Sequence, residues 1–245
     1  FSRLRREFAK APLSAWFGIV VVLAYASVAL FAPWVAPYGE SQIFPQPYAP
    51  WSHDFLLGTD QLGRDILTRL IFGARNTIGI ALATTLLSFA VGVSLGLTAV
   101  IRRGWVDQIL SRMVDVLMSI PNLIFALMML SAFGSSIPDL IVILAVLDST
   151  RVFRLTRAAA LNVVVMDYVE VAQARGERVG WIMWREILPN ILSPLVAEFG
   201  LRFCFVFLAI SALSFLGVGI QPPTADWGSM VRENAALISY SDITP

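Results

Sequence analysis

An all-α, polytopic membrane protein is what this sequence predicts, and three observations carry the prediction. Apolar residues make up 57% of the 245 and charged residues only 14%, where a soluble globule has about half and about a quarter. The apolar residues gather in runs close to the 20 residues or so that a helix needs to cross a bilayer. Basic residues alternate between the intervening segments. About thirteen of the 18 Arg and Lys fall in segments on one side and four on the other, an asymmetry that fixes orientation by the positive-inside rule. The net charge of +1 adds little. Cys204 lies in an apolar run and reads as packing. His53 lies in a loop, so neither a disulfide framework nor a zinc cluster is available.

Residues 1–12 carry Arg3, Arg5, Arg6 and Lys10 ahead of an apolar run from Trp16 to Val35. The charge rule places this segment in the cytoplasm and makes the run the first span. Arg5-Arg6-Glu7-Phe8-Ala9-Lys10 also looks like a twin-arginine export signal, but such a signal precedes a soluble body, and here more membrane follows. Residues 38–75 are polar, rich in proline and aromatics, and form an outer loop. Within them Gly58-Thr59-Asp60-Gln61-Leu62-Gly63-Arg64-Asp65 imitates a phosphate-binding loop. Arg64 and Asp65 stand where a lysine and a hydroxyl are needed, which excludes nucleotide binding.

The second span is Asn76 to Ile101. Its Gly92-Val-Ser-Leu-Gly96 stretch allows close approach of another helix, although the same spacing also arises without one. Arg102, Arg103 and Arg112 return the chain to the cytoplasm, with Trp105 as an interfacial anchor. Met113 to Phe133 is the third span, carrying Asp115 near its inner end and kinked at Pro121-Asn122. A turn at residues 134–139 leads to the fourth span, Leu140 to Phe153, and a helical stretch continues through Met166.

Asp167 to Pro194 is a polar interruption. Its composition predicts two short helices, Tyr168–Arg175 and Val179–Leu188. Gly176 takes the positive-φ turn between them and Pro189 ends the second. The second piece sets Val179, Trp181, Ile182, Met183, Trp184 and Ile187 among Arg178, Arg185 and Glu186. It is too charged to span a bilayer and too apolar to stay in water, so it lies at the membrane interface or enters a groove on a partner. A fifth span follows, from Leu195 to Val218. No apolar run comes after it before Pro245.

Ionisable groups at membrane depth cost about 2.5 to 3.5 kcal/mol each, so Asp148, Arg151, Glu198 and Arg202 require a reason. Asp148 with Arg151 and Glu198 with Arg202 have helical spacing for mutual neutralisation. The alternative is that they line a translocation path and meet the charged ends of a solute.

Glu170, Ala172, Gly176, Leu188 and Pro189 fall at the anchors of the Glu-Ala-Ala, three residues, Gly, nine residues, Ile-x-Leu-Pro motif. On these residues the chain resembles the membrane subunits of binding-protein-dependent ABC importers, specifically the dipeptide and oligopeptide branch. Val171 replaces the motif's first Ala, and Glu186 stands at its Ile position. Gly-Thr-Asp-x-x-Gly-Arg-Asp before the second span, and Leu213-Ser-Phe-Leu-Gly217 with Pro222-Pro223 and Trp227-Gly228, match further family patterns. The family commonly has a Glu where this chain has Ile210.

The resemblance implies a type I permease fold over residues 13–245, with a cytoplasmic coupling loop at 156–190 and an outer carboxyl-terminal loop at 219–245. It implies five spans here and a sixth, normal for the family, that this sequence lacks. Glu170, Ala172, Gly176, Trp181, Leu188 and Pro189 would couple to the ATPase. Asp148, Arg151, Glu198 and Arg202 would line the path. Asp60, Arg64, Asp65 and Trp227 would shape the outer mouth, with Asp60 and Asp65 pairing with Arg64 or Arg69. Implied partners are a homologous second permease, two cytoplasmic ATPase subunits that hold ATP and Mg, and an extracytoplasmic binding protein, all at a bacterial inner membrane. No nucleic acid is involved, and no cofactor, metal site or covalent chemistry belongs to this chain. The overall resemblance leans to peptide-like solutes. Two other readings stand beside it: a gradient-driven secondary transporter, for which no internal repeat is found, and a non-transporting membrane scaffold.

Overall fold

The structure is a computed structural model that describes residues 12–235. Its elements are α1 (Leu13–Val35), α2 (Ile66–Arg102), α3 (Gly104–Ser119), α4 (Asn122–Phe133), α5 (Ile137–Val163), α6 (Asp167–Ala174), α7 (Val179–Phe215) and α8 (Trp227–Asn234). α1, α2 and α7 are each long and apolar enough to cross a membrane, and α3 with α4 qualify together as a bent pair. The basic residues of the amino-terminal segment and residues 236–245 lie outside the described residues, so the orientation read from Arg3 to Lys10 and the export-signal resemblance do too. The chain divides into two compact units, residues 1–79 with 222–245, and residues 80–221.

In the first unit, α1 presents nearly all of its surface outward. Only Ala32 is buried among its 23 residues, as suits a helix with no polar face to hide. Residues 36–65 form a folded loop, more than the connection expected from their composition. Tyr38, Phe44 and Phe55 pack as an aromatic triad with centroids 4.9 to 5.8 Å apart. Farther along the loop, the Asp60 carboxylate accepts from the backbone N–H groups of Leu62 and Arg64 at 2.9 Å each. Gly58 is held at φ +77°, and a Cβ there would sit 2.5 Å from the Ala49 carbonyl oxygen.

α2 starts ten residues earlier than the sequence predicts, at Ile66 rather than Asn76. Asp65 supplies the reason, since its carboxylate accepts from the Thr68 N–H at 2.8 Å and caps the first turn. The carboxyl-terminal loop also holds an unexpected helix, α8, capped by Asp226 through the Ser229 N–H at 2.8 Å.

In the second unit, the remainder of α2 packs on α5. Cβ atoms added to Gly92 would lie 2.6 Å from Val152 Cβ and 2.7 Å from the Ser149 carbonyl, and at Gly96 2.9 Å from Thr156 Cβ. The small-residue face is therefore a true helix contact, set close enough that only hydrogen fits. The third span is not the kinked helix expected. α3 and α4 meet at 90°, because Ile120, the residue before proline, is extended at φ −96° and ψ 134°, and Pro121 opens α4 instead of bending α3.

Pro189 does not end the second piece of the polar interruption. The helix passes through it as part of the 37-residue α7, in which Ile182–Ile187, just ahead of Pro189, are wound as a π-helix. A proline lacks an N–H and crowds the carbonyl four residues back. The widened π-turn moves that carbonyl away, and the Leu188 N–H bonds Met183 O, five residues earlier. α7 ends at Phe215, three residues short of the expected Val218.

Candidate functional site

The polar interruption folds as two helices with a built turn. α6 occupies Asp167–Ala174, one residue ahead of the expected Tyr168–Arg175, and begins with Asp167 and Glu170 in its first turn, where negative charge suits the helix dipole. Its end is a complete Schellman closure: the Gly176 N–H bonds Gln173 O at 3.0 Å and the Glu177 N–H bonds Ala172 O at 3.2 Å. Gly176 sits at φ +76°. Nothing lies within 4 Å of where its Cβ would be, so this glycine serves backbone conformation and not space.

The two sides of this element differ. Val169, Ala172, Ile182, Met183 and Ile187 are buried in a single apolar core with Val93, Leu97 and Val100 of α2, Val152 and Ala160 of α5, and Val164 just after it. Tyr168, Val171, Val179, Trp181 and Trp184 are exposed large apolar groups. Glu170, Arg175, Glu177 and Arg178 are exposed among them. At the motif's two departures, Val171 is outside, and it is Ile187 that fills the core in the place next to Glu186. Of the predicted coupling residues, Ala172 is buried, Leu188 half-buried, and Glu170, Gly176, Trp181 and Pro189 exposed.

Three arginines one helical turn apart on α5 hold both arms of the bent pair. Arg157 forks onto Asp107 through Nε at 2.6 Å and Nη2 at 2.7 Å. Arg154 Nη2 reaches Asp115 at 2.6 Å. Asn122, its amide turned to present oxygen, accepts from Arg151 Nη1 at 3.1 Å and Nη2 at 3.2 Å.

The intramembrane charges come together, although not in the two separate pairs expected. Arg202 Nε stands 2.7 Å from Glu198 Oε1 on its own helix, and Arg202 Nη1 stands 3.6 Å from Asp148 Oδ1 on α5. The expected Asp148–Arg151 partner is more distant, at 3.9 Å, because Arg151 leans toward Asn122. Ser88 Oγ donates to Asp148 Oδ2 at 3.3 Å. The Arg202 guanidinium also lies over the Phe205 ring, 4.7 Å from its centroid. Ser88 and Asn122 were not legible as members of this cluster, since each sits on a different helix with no local signal. Ile210, at the family's Glu position, is fully buried in an apolar core with Leu147 and Leu213.

At the Gly-Thr-Asp loop, Asp60 is the hub. Its Oδ2 accepts from Arg64 Nε and Arg69 Nη1, both at 2.7 Å. Glu233 of α8 completes the network with Arg64 at 3.1 Å and Arg69 at 2.6 Å. Asp65 makes no ion pair among those seen in the described residues and caps α2 instead, which corrects the expected pairing. Trp227 Nε1 donates to Leu70 O at 3.0 Å, and Gly73 leaves room for its ring.

A chain of this kind is a multi-pass membrane protein with an anchored, amphipathic two-helix projection. Comparison with known proteins then fixes its family. Residues 88–241 match the family described as the binding-protein-dependent transport system inner membrane component, and residues 2–53 match the N-terminal TM domain of oligopeptide transport permease C. The di/tripeptide transport system permease protein of Pseudomonas aeruginosa is 36% identical over 221 residues, 87% of this chain and 73% of that protein. The dipeptide transport system permease protein of Haemophilus influenzae is 34% identical over 231 residues, 91% of this chain and 78% of that one. The glutathione transport system permease protein of Pectobacterium atrosepticum is 32% identical, covering 93% and 76%. The chain belongs to the inner-membrane components of binding-protein-dependent transport systems and is the permease subunit of an ABC importer.

Proposed function

We propose that this permease carries peptides or peptide-like solutes and that residues 167–189 transmit the ATPase stroke to its membrane helices. The observation that supports the second part is the two-sided coupling element. Its exposed face offers Tyr168, Val171, Trp181 and Trp184 with charges between them, while its buried face shares one core with α2 and α5. A close-packed core moves as a body, so a displacement imposed on the exposed face is delivered to α2 and α5 without slack. The peptide assignment draws on the di/tripeptide, dipeptide and glutathione permeases among its relatives.

In this reading the element faces the cytoplasm, the amino terminus lies on the same side, and five membrane crossings are made. A homologous second permease completes the pathway. Two ATPase subunits hold ATP and Mg and close against the exposed face, and an extracytoplasmic binding protein delivers solute near the 36–65 loop. The chain itself performs no covalent step. Closure of the ATPases shifts the packing of the helices between inward-open and outward-open forms.

The test is Gly176→Pro in vesicles that hold the chain with its partners. Proline cannot adopt φ +76° and removes the N–H that bonds Gln173 O. Solute uptake and solute-stimulated ATP hydrolysis both collapse while the complex still assembles. Uptake that persists without ATP would establish a gradient-driven carrier instead.

A further inference from the structure

The loop between α1 and α2, residues 36–65, is built inside out. Asp60, Arg64 and Asp65 are buried, and half-buried Glu40 accepts from Asn76 Nδ2 at 2.9 Å and from the Ala225 N–H at 2.6 Å. Of the loop's charged residues, Asp54 is the exposed exception. The large apolar groups go the other way: Ile43, Tyr48, Trp51, Leu56 and Leu62 are each 46 to 66% exposed. A loop standing in water has the opposite arrangement, because charges turned inward lose hydration and apolar groups turned outward forfeit about 25 cal/mol per Å².

Backbone ties hold this loop close to the helix ends. Tyr38, just past the end of α1, donates its N–H to Thr68 Oγ1 in the first turn of α2 at 3.3 Å, and its hydroxyl donates to Asp54 O at 2.9 Å. The Phe44 N–H bonds Gly63 O at 2.9 Å and the Tyr48 N–H bonds Asp60 O at 3.1 Å, so residues 44–48 lie alongside the segment that enters α2 at Ile66. At full extension Gly63 is within about 11 Å of Ile66. α1 has 23 residues, which makes it about 34 Å long, little more than the hydrocarbon core of about 30 Å. Its end at Val35 therefore emerges at the membrane boundary, and Phe31, Trp34 and Val35 are exposed there. The loop stays at headgroup depth and continues the apolar surface of α1.

We infer that the outward side chains of residues 43–62 are seated in the headgroup region of the bilayer, as an interfacial anchor. Tyr and Trp suit that region, being apolar in body and polar at the tip. A protein partner fits less well. It needs a complementary surface with a polar rim, whereas these five groups are carried on separate stretches of the loop, and a lipid boundary takes apolar groups without a match of shape. The anchor sets the height and tilt of α1, a helix that buries only Ala32 against the rest of the chain.

The experiment uses the complete transporter in lipid nanodiscs, with Trp51→Cys or Leu56→Cys in a Cys204→Ser chain and a nitrobenzoxadiazole dye on the new thiol. Both positions are exposed, so neither change disturbs the core. Seated about 5 to 10 Å into the boundary, the dye loses about half of its emission when the lipid carries a nitroxide high on its acyl chain. Iodide in the buffer quenches it far less than it quenches the free dye, and adding the binding protein changes neither result. Quenching by iodide as strong as for the free dye, with none by the nitroxide lipid, places the loop in water and overturns the anchor. A dye that neither quencher reaches before the binding protein is added is covered by another subunit, which also overturns it. Lipid quenching that disappears once the binding protein is added makes the face a protein-docking surface and overturns it as well.

Discussion

Adding one methyl group at Gly92 tests the packing on which the transmission argument stands. In Gly92→Ala the new Cβ would lie 2.6 Å from Val152 Cβ and 2.7 Å from the Ser149 carbonyl, whereas carbon atoms in contact rest at about 3.5 to 4.0 Å. The two helices must part by roughly 1 Å, and overpacking of this kind costs about 1 to 3 kcal/mol. The alanine returns about 0.5 to 1 kcal/mol of backbone entropy, leaving a net loss of about 1 kcal/mol. At this chain length that corresponds to a midpoint roughly 2 to 4 °C lower. Gly200→Ala is the control. It lies in α7 with nothing within 4 Å, so only the entropy gain applies and stability holds or rises. The assay is thermal unfolding of the purified chain in detergent, followed by loss of the far-ultraviolet circular dichroism of its helices. Equal midpoints for Gly92→Ala and Gly200→Ala would refute the close contact of α2 with α5.

Two further outcomes follow from the polar networks. Asp60→Asn removes the carboxylate shared by Arg64 and Arg69, the latter 1% exposed. Breaking a buried pair costs about 3 to 5 kcal/mol, and because Glu233 still faces both arginines the loss sits at the low end; limited proteolysis within residues 45–65 then becomes faster than in wild type. Arg157 and Asp107 form a forked pair that is partly exposed. A double-mutant cycle with Arg157→Ala and Asp107→Ala should give a coupling of about 0.5 to 1 kcal/mol, and a value near zero would show that the fork does not hold α3 to α5.

The membrane class and the turn at Gly176 were legible because each depends on local chemistry. A hydropathy run needs no partner to be recognised, and a Schellman turn calls for glycine wherever it occurs. The start of α2 was hidden for the opposite reason. Arg69 and Arg75 near its beginning read as a polar loop, yet Arg69 is neutralised by Asp60 and by Glu233, 164 residues away. Pro189 misled through a rule that is right locally, since the π-turn that accommodates it depends on the packing of Ile182, Met183 and Ile187. The 90° angle at Pro121 was likewise beyond reach. Proline marks a break, but its size is set by what holds the two arms, and those partners are on α5. The intramembrane charges showed a related limit: helical spacing identified Glu198 with Arg202, whereas Ser88 and Asn122 enter only through tertiary contact.

The exposed face of α6 and the start of α7 is the central claim, and single-cysteine cross-linking addresses it most directly. Cys204 is replaced by serine, and one cysteine is placed at Val171 or Trp184, both exposed on the coupling element, or at Leu201, exposed on α7. In the assembled, ATP-hydrolysing transporter, cysteines at 171 and 184 cross-link to an ATPase subunit through a short reagent, with a yield that changes on nucleotide binding, and cysteine at 201 does not. Cross-linking at 201 with none at 171 or 184 would contradict the account and place the ATPase contact elsewhere on the chain.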